Sequence, residues 1–252
     1  MRLDKYLTQS SVGTRKKVHQ ILMEERITVN GDKTTDATTD INPDQDLVAM
    51  DGQPVTFLGK VCYMFHKPKG CVTARSDGNC KTVLSYFSDI NTEGIFMVGR
   101  LDKDTEGLLL LTNDGELDHR LMDPDSHMNK TYQFWAVGML TPEDVIHLEE
   151  GIELDPVREP GRFTKTAKVQ ILKQGMYSEY AQEVPIHLHE DHVVSGLLTI
   201  SEGQKHQVKR MLRAVGCRIF TLKRISIGNL KLDESLKPGE YRRLTEREVE
   251  NI

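Results

Sequence analysis

Apolar positions recur along this chain with two periods, and the switch between them marks out its parts. Leu3, Tyr6 and Leu7 fall at helical spacing within residues 2–10, and Val18, Ile21 and Leu22 do so again after the break at Ser11-Val12-Gly13. Thr14 is placed to cap the second helix, which is expected to end near Glu25. The period then shortens to two. Ile27-Thr28-Val29 runs into Asn30-Gly31, a strong hairpin signal, and residues 47–50 read as a further strand before Asp51-Gly52. Two helices and short strands predict a small α+β module over residues 1–52. Pro54 and Gly59 lie in 53–60, where the patterning changes and a linker is expected.

From Val61 onward strands dominate. Residues 61–65 read as a strand stopped by His66-Lys67-Pro68-Lys69-Gly70 and resumed at 71–73. A short helical turn at 82–87 and a strand at 94–98 follow. Leu108-Leu109-Leu110-Leu111, bounded by Gly107 and by Thr112-Asn113-Asp114-Gly115, predicts a strand buried on both faces. A helix is expected at 116–122 and an alternating, half-buried strand at 130–137. Thr141-Pro142-Glu143-Asp144 opens another helix, with Pro at its first position and acids in its first turn. Residues 166–172, 183–189 and 195–200 alternate again. Residues 204–215 form a basic helix with Val208, Met211, Leu212 and Val215 inward. Strands at 219–222 and 225–232 and a capping box of Thr245 with Glu248 complete the pattern. Many strands with few long helices between them predict an α+β fold. A small N-terminal module would join a larger, mainly antiparallel sheet with flanking helices over 61–252.

Composition narrows the class of protein. At 252 residues, with 38% hydrophobic and 28% charged positions, the chain is of ordinary globular make-up and long enough for a sizeable core. It has no run of eighteen apolar residues and no secretory pattern at its start, so neither a membrane span nor export is expected. Cys62, Cys71, Cys80 and Cys217 show no CxxC pairing, which points to reduced thiols in a cytoplasmic protein and away from structural zinc. A net charge of −5 argues against a general polyanion binder, but the charges segregate. Residues 203–224 carry Lys205, Lys209, Arg210, Arg213, Arg218, Lys223 and Arg224 with no acid among them, and Arg15, Lys16 and Lys17 form a second patch. Asp32, Asp36, Asp40, Asp44, Asp46 and Asp51 make an acidic tract. Localised phosphate contact fits this pattern. For Arg15 to Lys17 a solvated helix face explains it equally well.

Several chemistries find no support. There is no GxGxxG after a strand, no GxxxxGK[ST] and no GxSxG. His187, His189 and His192 are grouped, and a strand would turn His187 and His189 the same way, but no further ligand type stands near and no metal site is expected. The stretch between Val98 and the leucine run is different. It is a loop carrying Asp102, Asp104 and Glu106 beside Arg100 and Lys103, running straight into a buried strand. Such a loop holds its side chains against a rigid scaffold. Spacing alone leaves three readings: a surface ion-pair network, a paired-carboxylate acid/base site, or one aspartate nucleophile held by a basic partner.

Gly99-Arg100-Leu101-Asp102, followed by the stretch from Gly107 to Gly115, resembles the signature of the bacterial ribosomal-RNA pseudouridine synthases, small-subunit branch. Lys67-Pro68-Lys69-Gly70, Lys130-Thr131-Tyr132 and Ile200-Ser201-Glu202-Gly203-Gln204-Lys205-His206-Gln207-Val208-Lys209-Arg210-Met211 agree in order. Ile227-Gly228 and Pro238-Gly239-Glu240-Tyr241-Arg242-Arg243-Leu244-Thr245 are similar as well, so the resemblance spans nearly the whole chain. Gln204 stands where that family often has Arg. Residues 1–52 resemble the S4 RNA-binding domain through Arg2-Leu3-Asp4-Lys5-Tyr6-Leu7, Thr14-Arg15-Lys16, Val29-Asn30-Gly31 and Asp46-Leu47-Val48, with Thr14 in place of the usual Ser.

The resemblance implies isomerisation of uridine to pseudouridine in 16S ribosomal RNA, with no cofactor. It implies Asp102 as the nucleophile, on the ribose or on the ring, and Tyr132 as the tyrosine that stacks on the base. It implies Lys209 as the basic partner that keeps Asp102 ionised in a pocket that would otherwise raise its pKa. The target base must leave its stack, at about a few kcal/mol. RNA contact is expected at Arg15, Lys16, Lys17, Arg100, Lys205, His206, Gln207 and Arg210, and Asp104 and Glu106 are left to shape the loop. The expected partner is ribosomal RNA, free or in an assembly intermediate, met by a cytoplasmic monomer. A large-subunit (23S) synthase of the same family and a non-catalytic S4-type RNA-binding protein are the alternatives. The intact Asp102 loop speaks against the latter.

Overall fold

The protein is described by a computed structural model covering residues 1–155, 157, 159–184 and 191–252. The chain opens with helices α1 (Leu3–Gln9) and α2 (Arg15–Met23), and the Thr14 hydroxyl accepts from the Lys17 N–H as an N-cap. Strands β1 (Ile27–Val29), β2 (Asp32–Lys33), β3 (Val48–Met50) and β4 (Gln53–Pro54) form a four-stranded sheet in the order β2-β1-β3-β4. Leu3, Leu7, Val18, Leu22 and Ile27 fill the core between helices and sheet. The stretch 53–60, expected as a linker, starts as the edge strand β4. Tyr6 then stacks on Phe57 at 5.1 Å and donates to the Val55 carbonyl, so this small unit reaches past residue 52. Pro54 concealed the strand from the pattern, because proline is tolerated where one strand edge needs no partner.

The rest of the chain builds a nine-stranded sheet. Its strands are β5 (Cys62–Lys67), β6 (Phe96–Val98), β7 (Glu106–Thr112), β8 (Lys130–Val137), β9 (Ala167–Met176), β10 (His192–Ile200), β11 (Arg218–Ile227), β12 (Leu230–Lys231) and β13 (Tyr241–Arg243). The main order is β13-β5-β7-β11-β8-β10-β9, with β6 beside β7 and β12 beside β11. Among the described residues only β7 with β11 runs parallel. Helices α3 (Gly115–Met122), α4 (Pro142–Glu150), α5 (Tyr177–Tyr180), α6 (Gln207–Ala214) and α7 (Glu246–Glu250) pack around this sheet. A mixed helix-and-sheet architecture with one large, mainly antiparallel sheet is what the strand-rich pattern predicts.

β7 lies at the centre. Leu108 and Leu110 enter one hydrophobic cluster with Met64 and Ile227, while Leu109 and Leu111 enter the other with Phe65, Phe134 and Met211. All four leucines are fully buried, because the sheet is covered on both sides here.

Local differences from the pattern have identifiable causes. β5 continues through His66 and Lys67, because His66 Nδ1 meets the Leu236 carbonyl and the Lys67 ammonium donates to the Thr105 carbonyl, contacts made far along the chain. Residues 71–73 form no strand, only a single bridge from Val72 to Thr82. The strands expected at 219–222 and 225–232 are one long strand, β11, followed by a turn and β12; pairing with β8 carries it across Lys223 and Arg224. β13 escaped the pattern because Tyr241-Arg242-Arg243 shows no apolar alternation and is fixed by pairing with β5. Of the strand expected at 183–189, residues 185–189 lie outside the described residues, as do His187 and His189.

Candidate active site

The loop from Gly99 to Thr105 joins β6 to β7 and is tied down from below. Lys67, wholly buried at the end of β5, donates from its ammonium to the carbonyls of Asp102 (2.9 Å) and Thr105 (2.9 Å), and also to those of Pro68 and Lys103. Burial pulls its pKa below the usual lysine value, against the opposite pull of Cys71, Asp102, Asp104 and Glu106. The Thr73 hydroxyl donates to the Leu101 carbonyl at 2.8 Å and accepts from the Leu101 N–H. The Gly70 N–H donates to the Lys103 carbonyl at 2.7 Å, and the Thr105 N–H closes a turn on the Asp102 carbonyl. The backbone of this charged loop is thus fixed by hydrogen bonds to buried side chains, with Leu101 and Thr105 turned inward.

α6 faces the loop. Gln207, Val208, Met211 and Leu212 are its buried side, which leaves Lys209 on the side toward Asp102. Lys209 Nζ lies 3.0 Å from Asp102 Oδ2 and also donates to Asp104 Oδ1. Burial alone would lower the Lys209 pKa; the hydrogen bonds to Asp104 and Asp102 outweigh it, and the net shift is upward. For Asp104, burial pushes upward but is outweighed by Lys209, and the net shift is downward. One ammonium therefore bridges two carboxylates. Asp102 keeps 30% of its side chain exposed, so it remains open to a ligand.

Tyr132, on β8, is buried and lines the same small cavity as Arg100, Asp102, His206 and Lys209, about 90 Å³ in volume. The structure thus brings Asp102, Lys209 and Tyr132 together. His206 was expected at an RNA surface. It is exposed, its Nε2 lies 3.5 Å from Asp102 Oδ1, and its backbone takes a left-handed conformation at φ +52° just before α6. That conformation is why α6 starts at Gln207 and not at residue 204.

The remaining residues expected to touch RNA divide. Arg100, Lys205, Arg15, Lys16 and Lys17 are exposed. Lys17 pairs with Glu93 at 3.3 Å and Arg210 with Glu159 at 2.7 Å, so neither is a free cation. Gln207 is not at the open surface. Its side chain is buried, its amide N–H₂ donates to Glu202 at 2.6 Å, and its carbonyl accepts from the Gln204 N–H at 2.8 Å. It braces the loop before α6 and contributes to the wall of the cavity beside Asp102.

Sequence patterning missed three contributors. Lys67 looked like a strand terminator, and although it stands in the Lys67-Pro68-Lys69-Gly70 motif, no role was read for it. Glu202 draws the amide nitrogens of both Gln204 and Gln207. Thr105 is buried at the wall of the cavity with no hydrogen-bond partner for its hydroxyl, and Gln204 Oε1 is likewise unpartnered. Among the described residues no cluster of three or more His, Cys, Asp or Glu side chains could hold a metal ion, and no helix is long and apolar enough to cross a membrane.

Comparison with known proteins gives this geometry a context. Residues 61–214 match the RNA pseudouridylate synthase family. The chain is 38% identical over 251 residues to an uncharacterized RNA pseudouridine synthase of Bacillus subtilis, covering 99% of this chain and 97% of that protein. It is 36% identical over 252 residues to ribosomal small subunit pseudouridine synthase A of Vibrio cholerae, covering 100% and 99%. A solved pseudouridylate synthase structure superposes with a TM-score of 0.62 at 32% identity, covering 100% of this chain and 99% of that one. The match extends over more than half of the chain and the similarity over its whole length; the protein belongs to the RNA pseudouridylate synthase family, and is an isomerase.

Proposed function

We propose that this enzyme converts a specific uridine of 16S ribosomal RNA to pseudouridine, with Asp102 as nucleophile. The observation that carries the assignment is the contact of Asp102 with Lys209 at 3.0 Å beside Tyr132 in one cavity. The full-length similarity to proteins named ribosomal small subunit pseudouridine synthase A supports the choice of RNA. The reaction is internally balanced. The C1′–N1 bond breaks, the uracil turns, C5 bonds to C1′, the C5 proton leaves and N1 regains one. Nothing is oxidised and no group enters from outside, so the reading requires no cofactor. Lys209 holds the carboxylate oriented toward the entering nucleoside by a charge-assisted hydrogen bond. Tyr132 supplies the ring against which the flipped base stacks. The unpartnered Thr105 hydroxyl and Gln204 carbonyl leave hydrogen-bonding capacity beside the cavity for a uracil edge.

The N-terminal unit, two helices on a small antiparallel sheet, serves as an S4-type RNA-binding module, with Arg15 and Lys16 on the exposed side of α2. The enzyme works as a cytoplasmic monomer on small-subunit RNA or an assembly intermediate. The test is to map pseudouridines in ribosomal RNA from a strain lacking the gene, complemented by wild type or by Asp102→Asn. One small-subunit site should vanish and return only with wild type. Loss of a large-subunit site, or rescue by Asp102→Asn, overturns the reading.

A further inference from the structure

A second cavity, about 330 Å³, lies beside Lys209, and Tyr132 is not part of its lining. It shares His206, Lys209 and Leu222 with the wall of the Asp102 cavity, so the two spaces adjoin at these residues. Its volume falls in the range of sites that hold small ligands, about 300–1,000 Å³. Two features of its lining point to one kind of occupant.

The first is charge. Lys69, Arg213 and Arg218 line the cavity, are exposed, and make no ion pair among the described residues. The other lining cations are already engaged: Lys209 by Asp102 and Asp104, Arg210 by Glu159. Three free cations around one concavity are a phosphate-binding arrangement, and the only acid on its wall among the described residues, Asp104, shares the Lys209 ammonium with Asp102. The second is an aromatic surface. The register between β11 and β8 shifts between Ile219 and Thr221, which leaves Phe220 as the extra residue of a bulge. A bulge breaks the alternation of side chains and re-aims one of them. Here it lets Ile219, Phe220 and Leu222 all line the same cavity. Phe220 is half-buried and has no aromatic ring partner among the described residues. A free aromatic face ringed by free cations is how single-stranded nucleic acid is held without reading its sequence, the base stacking and the phosphates pairing.

We propose that this cavity takes a nucleotide flanking the target uridine, its base on Phe220 and its phosphate on Arg213, Arg218 and Lys69. The inference rests on the assignment of Asp102 as the site of isomerisation. Holding the neighbouring nucleotide here keeps the strand open on one side of the target, so that the uridine is presented to Asp102 already unstacked. Arg213, Arg218 and Phe220 are then binding residues for the flanking nucleotide and leave the reacting atoms untouched.

The experiment uses the full chain with an in vitro transcript of small-subunit rRNA. Wild type, Arg213→Gln/Arg218→Gln, Phe220→Leu and Phe220→Tyr are compared in steady-state turnover and in binding across a salt series. The double arginine variant should raise KM and flatten the slope of log affinity against log salt by about 0.7, one single-strand phosphate contact. Phe220→Leu should weaken binding about five-fold or more, and Phe220→Tyr should restore it because the stacking face is kept. An unchanged salt slope with unchanged KM in the arginine variant, or Phe220→Tyr no better than Phe220→Leu, overturns the proposal. If binding shows the expected dependence on all three residues but wild type forms no pseudouridine, the cavity stands and the assignment of function falls.

Discussion

The ammonium of Lys67 donates to the main-chain carbonyl of Asp102 at 2.9 Å, while Lys209 holds the carboxylate of the same residue at 3.0 Å. One lysine fixes where Asp102 sits, the other fixes where its side chain points. Lys67 has no exposed surface, so it acts on any ligand only through the loop. Lys67→Met keeps the buried stem and deletes the donors, and the Thr105 carbonyl loses its contact. A loss of about 2–4 kcal/mol of stability is expected. At a temperature where the variant is folded, kcat should fall about ten-fold or more from misplacement of the loop, with KM for RNA little changed. Thermal melts and turnover numbers check this, and wild-type values in both would remove Lys67 from the positioning role.

Lys209 makes the charge-assisted contact to Asp102, so Lys209→Met should cost about 1.5–3 kcal/mol of transition-state stabilisation, or about 10- to 150-fold in kcat. Asp104 shares the same ammonium but is 72% exposed, so Asp104→Asn should change kcat by less than about three-fold. Single-turnover rates with saturating enzyme separate the two. Equal losses would mean that the bridge acts as one unit.

Gly107 is where the loop enters β7, at φ +107°, and a Cβ there would lie 2.2 Å from the Arg224 carbonyl oxygen. The neighbour is backbone of the paired strand β11, which cannot turn aside. Gly107→Ala should cost about 3 kcal/mol or more, from overpacking and a disfavoured backbone angle together. Soluble yield and the melting temperature report it; a melt matching wild type would mean that β7 and β11 can separate at this point.

On α2 the three cations are not equivalent. Lys17 is paired with Glu93, whereas Lys16 is exposed without an ion-pair partner among the described residues. Lys16→Gln should flatten the salt dependence of RNA affinity by about 0.7–0.9 in log–log slope, and Lys17→Gln by less. An unchanged slope for the Arg15, Lys16 and Lys17 triple substitution would take α2 off the RNA.

Arg242 joins β13 to the capping box of α7, bonding Glu248 at 2.7 Å and Asp233 at 2.6 Å. These contacts, Arg242 first and then the Thr245 N–H, hold the Glu248 pKa at about 2 against an ordinary 4.5. A depressed carboxylate stabilises the fold above its unfolded pKa, and that contribution is lost as pH falls through the folded value. Arg242→Met should therefore melt about 2–4 °C below wild type near neutral pH. The gap should close as pH falls from 4.5 toward about 2. A gap constant over that interval would assign the loss to packing of the arginine stem.

Much of this protein can be read from its residues. Strict alternation in residues 130–137 is β8 to the residue, and Leu108 to Leu111 are buried on both faces as their unbroken run requires. Helix caps at Thr14, Thr141 and Thr245 are local events between neighbours in sequence, and they are present. The grouping of Asp102, Tyr132 and Lys209 came from the resemblance to a family, since spacing alone left three readings of the loop. What sequence patterning could not supply is everything settled across the sheet. Gln207 turns inward because Glu202 and the Gln204 N–H satisfy its amide. Lys67 is a buried clamp because the loop from Asp102 to Thr105 brings its carbonyls over β5. Phe220 reaches a cavity because pairing with β8 forces a bulge in β11. Periodicity reports which face of an element is buried. Which polar group is satisfied, and by whom, depends on partners far away in the chain, and only the packed fold decides it.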